Sequence, residues 1–288
     1  MKMKTRLLSC AAIAVGLTLT AKAFIFTVPT DPEFIEISST PEQVVPQYKS
    51  GCAQFDVSAP IDRNGQLNVL VWNIYKQQKV DWEKALKALS EPSDLVLLQE
   101  AILTPELKQF VIDRSYSAEL VRAFDVFDTS AGVLTLAKSP ATKVCAHTAI
   151  EPWLRLPKSA LLSEYKLSNG ENLMVVNLHA INFTLGTEDY KNQIESLSKE
   201  VEEQQGPLIV AGDFNSWSDA RLSELTQQTE RLNLKEVIFT PDERMRFITG
   251  LPLDHIFYRG LKVKEAHSIK SNASDHNPLQ VSFSLKTR

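Results

Sequence analysis

Cysteine is scarce in this chain, with three among 288 residues. Three set no disulfide framework. Cys52 and Cys145 are the two that would survive loss of the N-terminus, and two states stay open for them. They could pair in an oxidising compartment, or stay as free buried thiols. Excess positive charge is also missing: 31 Lys and Arg stand against 35 Asp and Glu, a formal net charge of −4. That excludes the bulk basic signature of a non-specific nucleic-acid binder, although not a local basic patch. No internal repeat occurs, and no low-complexity tract lies beyond the N-terminus. The one long uncharged apolar run, Leu7 to Thr20, is short for a membrane span.

That run has the setting of an export segment. Lys2, Lys4 and Arg6 precede it, and Ala21-Lys22-Ala23 offers a small-x-small cleavage pattern. Residues 1–23 therefore read as a signal peptide or an uncleaved membrane anchor, which puts the protein in the periplasm or envelope. A cytoplasmic start is the alternative. Cleavage would remove four positive charges and take the formal charge from −4 to −8. Residues 24–66, with five prolines and no sustained period, read as a linker or surface segment, and a catalytic domain is expected over 67–288.

From Leu67 onward, short apolar runs alternate with longer amphipathic ones. Strands are predicted at Leu67–Tyr75, Leu95–Glu100, Gly132–Ala137, Ala160–Leu167, Leu173–Leu178, Leu208–Gly212, Leu253–Tyr258 and Leu279–Leu285. Leu95–Leu98 and Leu173–Val176 are apolar on both faces, as in strands covered by layers on either side. Asp81 is the expected cap of a helix carrying Trp82, Leu86 and Leu89. Thr104-Pro105 is a cap followed by a first-turn proline. Tyr190, Ile194, Leu197 and Val201 mark a third helix, and Leu222 with Leu225 a fourth. The mixture implies an α/β architecture.

Polar residues recur where these apolar runs stop: Asn73, Glu100, His179, Asp213 with Asn215, and Asp254. Ser274-Asp275-His276 instead precedes a run. One such residue alone is an ordinary turn or cap; six such elements suggest a shared site. A hard cation such as Mg²⁺ takes oxygen ligands, which Asn73, Glu100 and Asp275 can supply. Asp213 and Asn215, two apart, share a side of an extended backbone. One can accept a proton or orient water while the other donates to phosphate. His276 can serve as a base if a carboxylate such as Asp254 fixes its tautomer, and His179 can donate to a phosphoryl oxygen.

The order Val71-Trp72-Asn73, Leu98-Gln99-Glu100, Asn177-Leu178-His179, Gly212-Asp213-Phe214-Asn215, Leu253-Asp254, Ser274-Asp275-His276 resembles the endonuclease/exonuclease/phosphatase superfamily, from Leu67 to Leu285. VWNIYKQQ, LVLLQEA, RLPKSAL and PLDHIFYRG look like its bacterial YafD-like branch. The resemblance implies a DNase I-like, four-layer α/β/β/α sandwich: two facing mixed β-sheets with helices outside and the site at one end. It implies Asn73, Glu100 and Asp275 as the metal environment, with Mg²⁺ or Mn²⁺. Asp213 and Asn215 would orient water and contact phosphate, His179 would contact a phosphoryl oxygen, and Asp254 would pair with His276.

The sequence departs from that pattern in places. The stretch Asp128-Thr129-Ser130-Ala131 before Gly132 offers no Glu to support His179. His255 stands where an aromatic is usual and, as the neighbour of Asp254 on a strand, reads as structural. Arg155, Lys158 and Asn182 are candidate phosphate contacts, each with a plain alternative as a solvated basic loop or a loop cap.

The expected activity is metal-dependent phosphoester hydrolysis by in-line attack of water, on a monomer with no protein partner in evidence. Nucleic acid is the first substrate choice. A phospholipid head group follows, although no extra hydrophobic hairpin of a membrane-inserting lipase stands out, and then an inositol phosphate. A non-catalytic binding module on the same fold is the reading from another class. The presence of Glu100, Asp213 and His276 argues against it.

Overall fold

The computed structural model describes residues 26–37, 47–57 and 59–286. The export reading of residues 1–23 lies outside them. The strands run β1 Phe26–Thr27, β2 Glu33–Ile37, β3 Gln47–Ser50, β4 Cys52–Gln54, β5 Gln66–Asn73, β6 Leu95–Ile102, β7 Ser117–Val121, β8 Phe124–Val126 and β9 Thr129–Ala137. They continue as β10 Lys143–Ile150, β11 Pro157–Lys166, β12 Asn172–His179, β13 Leu208–Asp213, β14 Lys235–Glu236, β15 Asp254–Arg259, β16 Leu261–Ser268 and β17 Leu279–Leu285. The helices are α1 Trp82–Ser90, α2 Pro105–Asp113, α3 Glu188–Glu202 and α4 Asp219–Arg231.

Among the described residues two mixed sheets form. The first has the order β16-β17-β5-β6-β9-β7-β2-β3, with β8 attached to β9 and β1 to β8. The second is β14-β15-β13-β12-β11-β10-β4. The layering follows from strand periodicity. On β5, Leu67, Val69 and Val71 face the second sheet and meet Leu161, Val175, Ile209 and Ile256. Leu70 and Trp72 face the other way, onto Leu86 of α1 and Leu107, Phe110 and Val111 of α2. The outer face of the second sheet packs Leu162, Val176 and Leu178 on Tyr190, Ile194 and Leu197 of α3 and Leu225 of α4. The result is the α/β/β/α sandwich that the motifs imply. Its strands are apolar on both faces because both faces are covered, each buried leucine contributing about 1.5–3 kcal/mol.

Two parallel pairs set the functional end. β5 runs parallel to β6, and β12 parallel to β13. Asn73, Glu100, His179 and Asp213 all lie at or near the C-terminal ends of these strands. β15 is antiparallel to β13 and begins with Asp254 directly opposite Asp213. β17 is antiparallel to β5, so the loop before it delivers Ser274–His276 to Asn73. Gly212 permits the closest approach: its φ is +140°, and a Cβ there would meet the Leu178 carbonyl oxygen at 2.0 Å.

Several expectations need correction. The described part of 24–66 is not a linker: β2 and β3 extend the first sheet, and β4 pairs with β10 of the second. These strands are only three to five residues long, and β3 and β4 carry few apolar residues, which is why no sustained period shows. Cys52 and Cys145 are direct partners across β4 and β10 and form a disulfide, which removes the free-thiol alternative. Asp81 stands at the first helix's start but makes no capping hydrogen bond, whereas Thr104 Oγ1 accepts from Leu107 N–H at 3.3 Å. β5 stops at Asn73 rather than Tyr75. Tyr75, Lys76 and Gln77 instead form a left-handed turn, with φ of 49°, 53° and 56°.

Candidate active site

Asp213 is the hub of the strand-end cluster. Its Oδ1 accepts the Asn215 backbone N–H at 2.9 Å, and its Oδ2 accepts from Asn73 Nδ2 at 3.0 Å. The Nε2 atoms of His179 and His276 stand 3.5 and 3.9 Å from Oδ2. Burial pushes the Asp213 carboxyl up, to about 6; Asp254 adds to this, while His276, the Asn215 N–H and Lys158 oppose it.

His276 is fixed at its other ring nitrogen, where Nδ1 lies 2.7 Å from Asp254 Oδ2. Its backbone is pinned as well: Trp72 Nε1 donates to the His276 carbonyl at 2.9 Å, and Ser274 Oγ donates to the Asn73 carbonyl at 2.7 Å. Burial pulls the imidazole pKa down, but the Asp254 and Asp213 carboxylates outweigh it and hold it up, at about 10. At neutral pH the ring is an imidazolium with Nε2 turned toward Asp213.

Glu100 sits where β6 breaks register against β9 between Leu98 and Ala101, with φ of 54°. Lys76 Nζ pairs with its Oε2. Burial alone would raise Glu100; Lys76 and Lys158 overcome that and hold its carboxyl below the usual range. The left-handed turn carrying Lys76 is tied to the irregular part of β6, since Gln77 Oε1 accepts from Ile102 N–H at 3.0 Å. Lys76 was not foreseen from the sequence, because such a turn without glycine has no local signature.

His179 ends β12 inside the cluster. Its Nε2 lies 2.9 Å from Lys158 Nζ. Burial, with Lys158, Lys76 and His276, holds the imidazole well below its usual range. A neutral ring accepts from the Lys158 ammonium at that distance. Asn215 Nδ2 donates to the Ala180 carbonyl at 2.9 Å. Asn182 Oδ1 accepts from Trp217 Nε1 at 3.0 Å. Arg155 is exposed, with φ of 57°, on the β10–β11 loop. His255 turns from the site to Ser216 Oγ at 2.8 Å and Glu236 Oε1 at 2.7 Å.

The donor set fits a hard divalent cation. Glu100 is a carboxylate already neutralised by one cation, Lys76, in the place where a metal charge would serve. Asn73 Oδ1 accepts from Tyr75 N–H at 3.0 Å and keeps a second lone pair. Asp275 is exposed and stands outside the buried cluster, touching Ser274 Oγ at 3.3 Å. Asp213, Asp254 and His276 also have ligand atoms within 4.8 Å of one another. The short Asp254–His276 bond makes that group a hydrogen-bonded dyad beside Asp213 before it is a set of free ligands.

Beside Glu100 and His179 opens a cavity of about 200 Å³. Lys76, Lys158 and Asn182 line it, and so do Phe124, Leu156 and Phe183.

A two-sheet sandwich with carboxylates, an Asp–His dyad and lysines at one end is the frame of a phosphoesterase. Residues 70–276 match the endonuclease/exonuclease/phosphatase family, and the chain belongs to it. Members of this family hydrolyse phosphoester bonds and typically use divalent metals. A "UPF0294 protein" of Vibrio parahaemolyticus is 49% identical over 261 residues, covering 91% of this chain and 92% of its own. The fold is similar to that of the endonuclease/exonuclease/phosphatase from Bacteroides vulgatus, with a TM-score of 0.61 at 18% identity over 77% of this chain and 99% of that one. It is also similar to the human Nocturnin catalytic domain, with a TM-score of 0.57 at 18% identity over 82% and 97%.

Proposed function

We propose that the protein is a divalent-metal-dependent phosphodiesterase that activates water for in-line attack on phosphorus. The observation that carries this reading is Asp213, a buried carboxylate held by Asn73 and Asn215 between His179 and His276. Mg²⁺ or Mn²⁺ held by Glu100, with Asn73 Oδ1 and Asp275, would supply Lewis-acid charge to the phosphoryl group. The chain's own residues do the rest. Asp213 takes the water proton, because His276 already carries both of its protons. The His276 imidazolium and the Lys158 ammonium face the charge that grows on the phosphoryl oxygens. Asp254 keeps His276 oriented, and Asn215 keeps Asp213 in place.

Hydrolysis of bis(p-nitrophenyl) phosphate with Mg²⁺, Mn²⁺ or EDTA, by wild type and Asp213→Asn, tests this. Metal-dependent turnover that is lost in the variant supports it. Equal rates with EDTA, or in Asp213→Asn, overturn it.

The disulfide supports an exported protein, since such bonds persist in oxidising compartments. We infer a periplasmic or envelope location and a monomer whose partner is its phosphoester substrate. The acidic formal charge disfavours a nucleic-acid polymer as that substrate, because polymer binding draws on many phosphate contacts.

A further inference from the structure

The cavity beside the site has two unlike ends. At one, Lys76 and Lys158 stand close to Glu100 and His179. Lys76 is built into place: three successive left-handed non-glycine residues are sterically disfavoured, and the Gln77 clamp on β6 holds them so. At the other end the wall is Phe124, Leu154, Leu156, Pro157 and Phe183.

Polar residues do line that end, and several of their acceptors are taken within the protein. Glu151 Oε1 accepts the backbone N–H groups of Asn182 and Phe183, both at 2.9 Å. Ser159 Oγ accepts Val133 N–H at 3.1 Å, and Asn182 Oδ1 is held by Trp217. The apolar character also continues outward. Trp153 is 60% exposed and Leu185 80%, on the same two loops as Leu154 and Phe183. The β10–β11 hairpin thus carries an apolar tip that the sequence does not advertise, because Glu151, Pro152 and Arg155 interrupt the run.

We propose that this cavity is the subsite for an apolar alcohol esterified to the phosphate. The enzyme's substrates are then phosphodiesters of aliphatic, lipid-like alcohols. The phosphate lies at the Lys76–Lys158 end, and the hydrocarbon runs along Leu156 and Phe183 toward Trp153. This rests on the phosphodiesterase reading. It narrows that reading to substrates recognised by one anion and a hydrocarbon, in place of a chain of anions.

The test is a homologous series of monoalkyl phosphates, methyl to octyl. Each is titrated calorimetrically and used as a competitive inhibitor of bis(p-nitrophenyl) phosphate hydrolysis. Burying a methylene is worth about 0.8 kcal/mol, so Kd should fall about fourfold per added carbon until the cavity is full. Phe183→Ser should cut that dependence by more than half. Lys76→Met should raise Kd for every member of the series by a similar factor. A Kd independent of chain length, or a short oligonucleotide inhibiting more tightly than octyl phosphate, overturns the proposal. If bis(p-nitrophenyl) phosphate is not hydrolysed, the phosphodiesterase reading fails separately, and calorimetry still reports the chain-length dependence.

Discussion

Asp254 Oδ2 lies 2.7 Å from His276 Nδ1, and on the neighbouring strand Asp254 is the direct partner of Asp213. One strand start thus orients the imidazolium and sets its distance from the proposed base. Asp254→Asn removes the carboxylate that holds His276 up. The His276 pKa should fall from about 10, read by NMR titration of the ring. Turnover should fall about 10²–10⁴-fold, the usual worth of an oriented acid–base group.

Glu119 gives a pH dependence unrelated to catalysis. It is buried on β7, and its Oε2 has no hydrogen-bond partner among the described residues. Burial pushes its carboxyl up from 4.5 to about 7, against a hydrogen bond from Ser117 and with Glu36 adding to the rise. Between those values the folded state holds a proton that the unfolded state has released. Stability therefore falls as pH rises from 4.5 to about 7, by about 3 kcal/mol, and then levels off. Glu119→Gln should flatten the profile, so its urea midpoint relative to wild type should be higher at pH 8 than at pH 5.

Breaking the Cys52–Cys145 bond, which spans 93 residues, should lower the unfolding free energy by about 2–4 kcal/mol. Denaturant melts of Cys52→Ser, or of wild type with a reductant, measure it. Hydrogen exchange should then quicken first along β4 and its partner β10.

Gly212→Ala should harm site and fold together. The added methyl has nowhere to go against the Leu178 carbonyl, and β13 must shift beside Asp213. A loss of more than about 2 kcal/mol is expected from strained backbone and lost packing. Activity should drop even in samples that remain folded, measured at a temperature well below the variant's Tm.

The parts that were legible in the sequence are those written locally. Leu95–Leu98 is apolar on both faces because α2 covers one and the second sheet the other, and that pattern reads directly. Asp213, Asp254 and His276 follow or precede apolar runs because strand ends hold them. Other features rest on distant pairings. Cys52 meets Cys145 only after the five strands and two helices between β4 and β10 are placed in register. β16, with Lys262 and Lys264 on either side of Val263, is an edge strand whose charges mask its role. Lys76 was hidden because its direction depends on a turn that Gln77 and Ile102 hold from outside.

The segment 47–54 passes from one sheet to the other through Gly51 alone: β3 closes the edge of the first sheet, and β4 that of the second. It works as a clasp across the open side of the sandwich. β3 pairs with β2, made just before it, but the partner of β4 is β10, made about ninety residues later. The β4 half of the clasp must therefore wait, unpaired, for the body of the domain. Cutting the chain back to residue 67 would uncover the edges of β7 and β10, so this side is where self-association would begin.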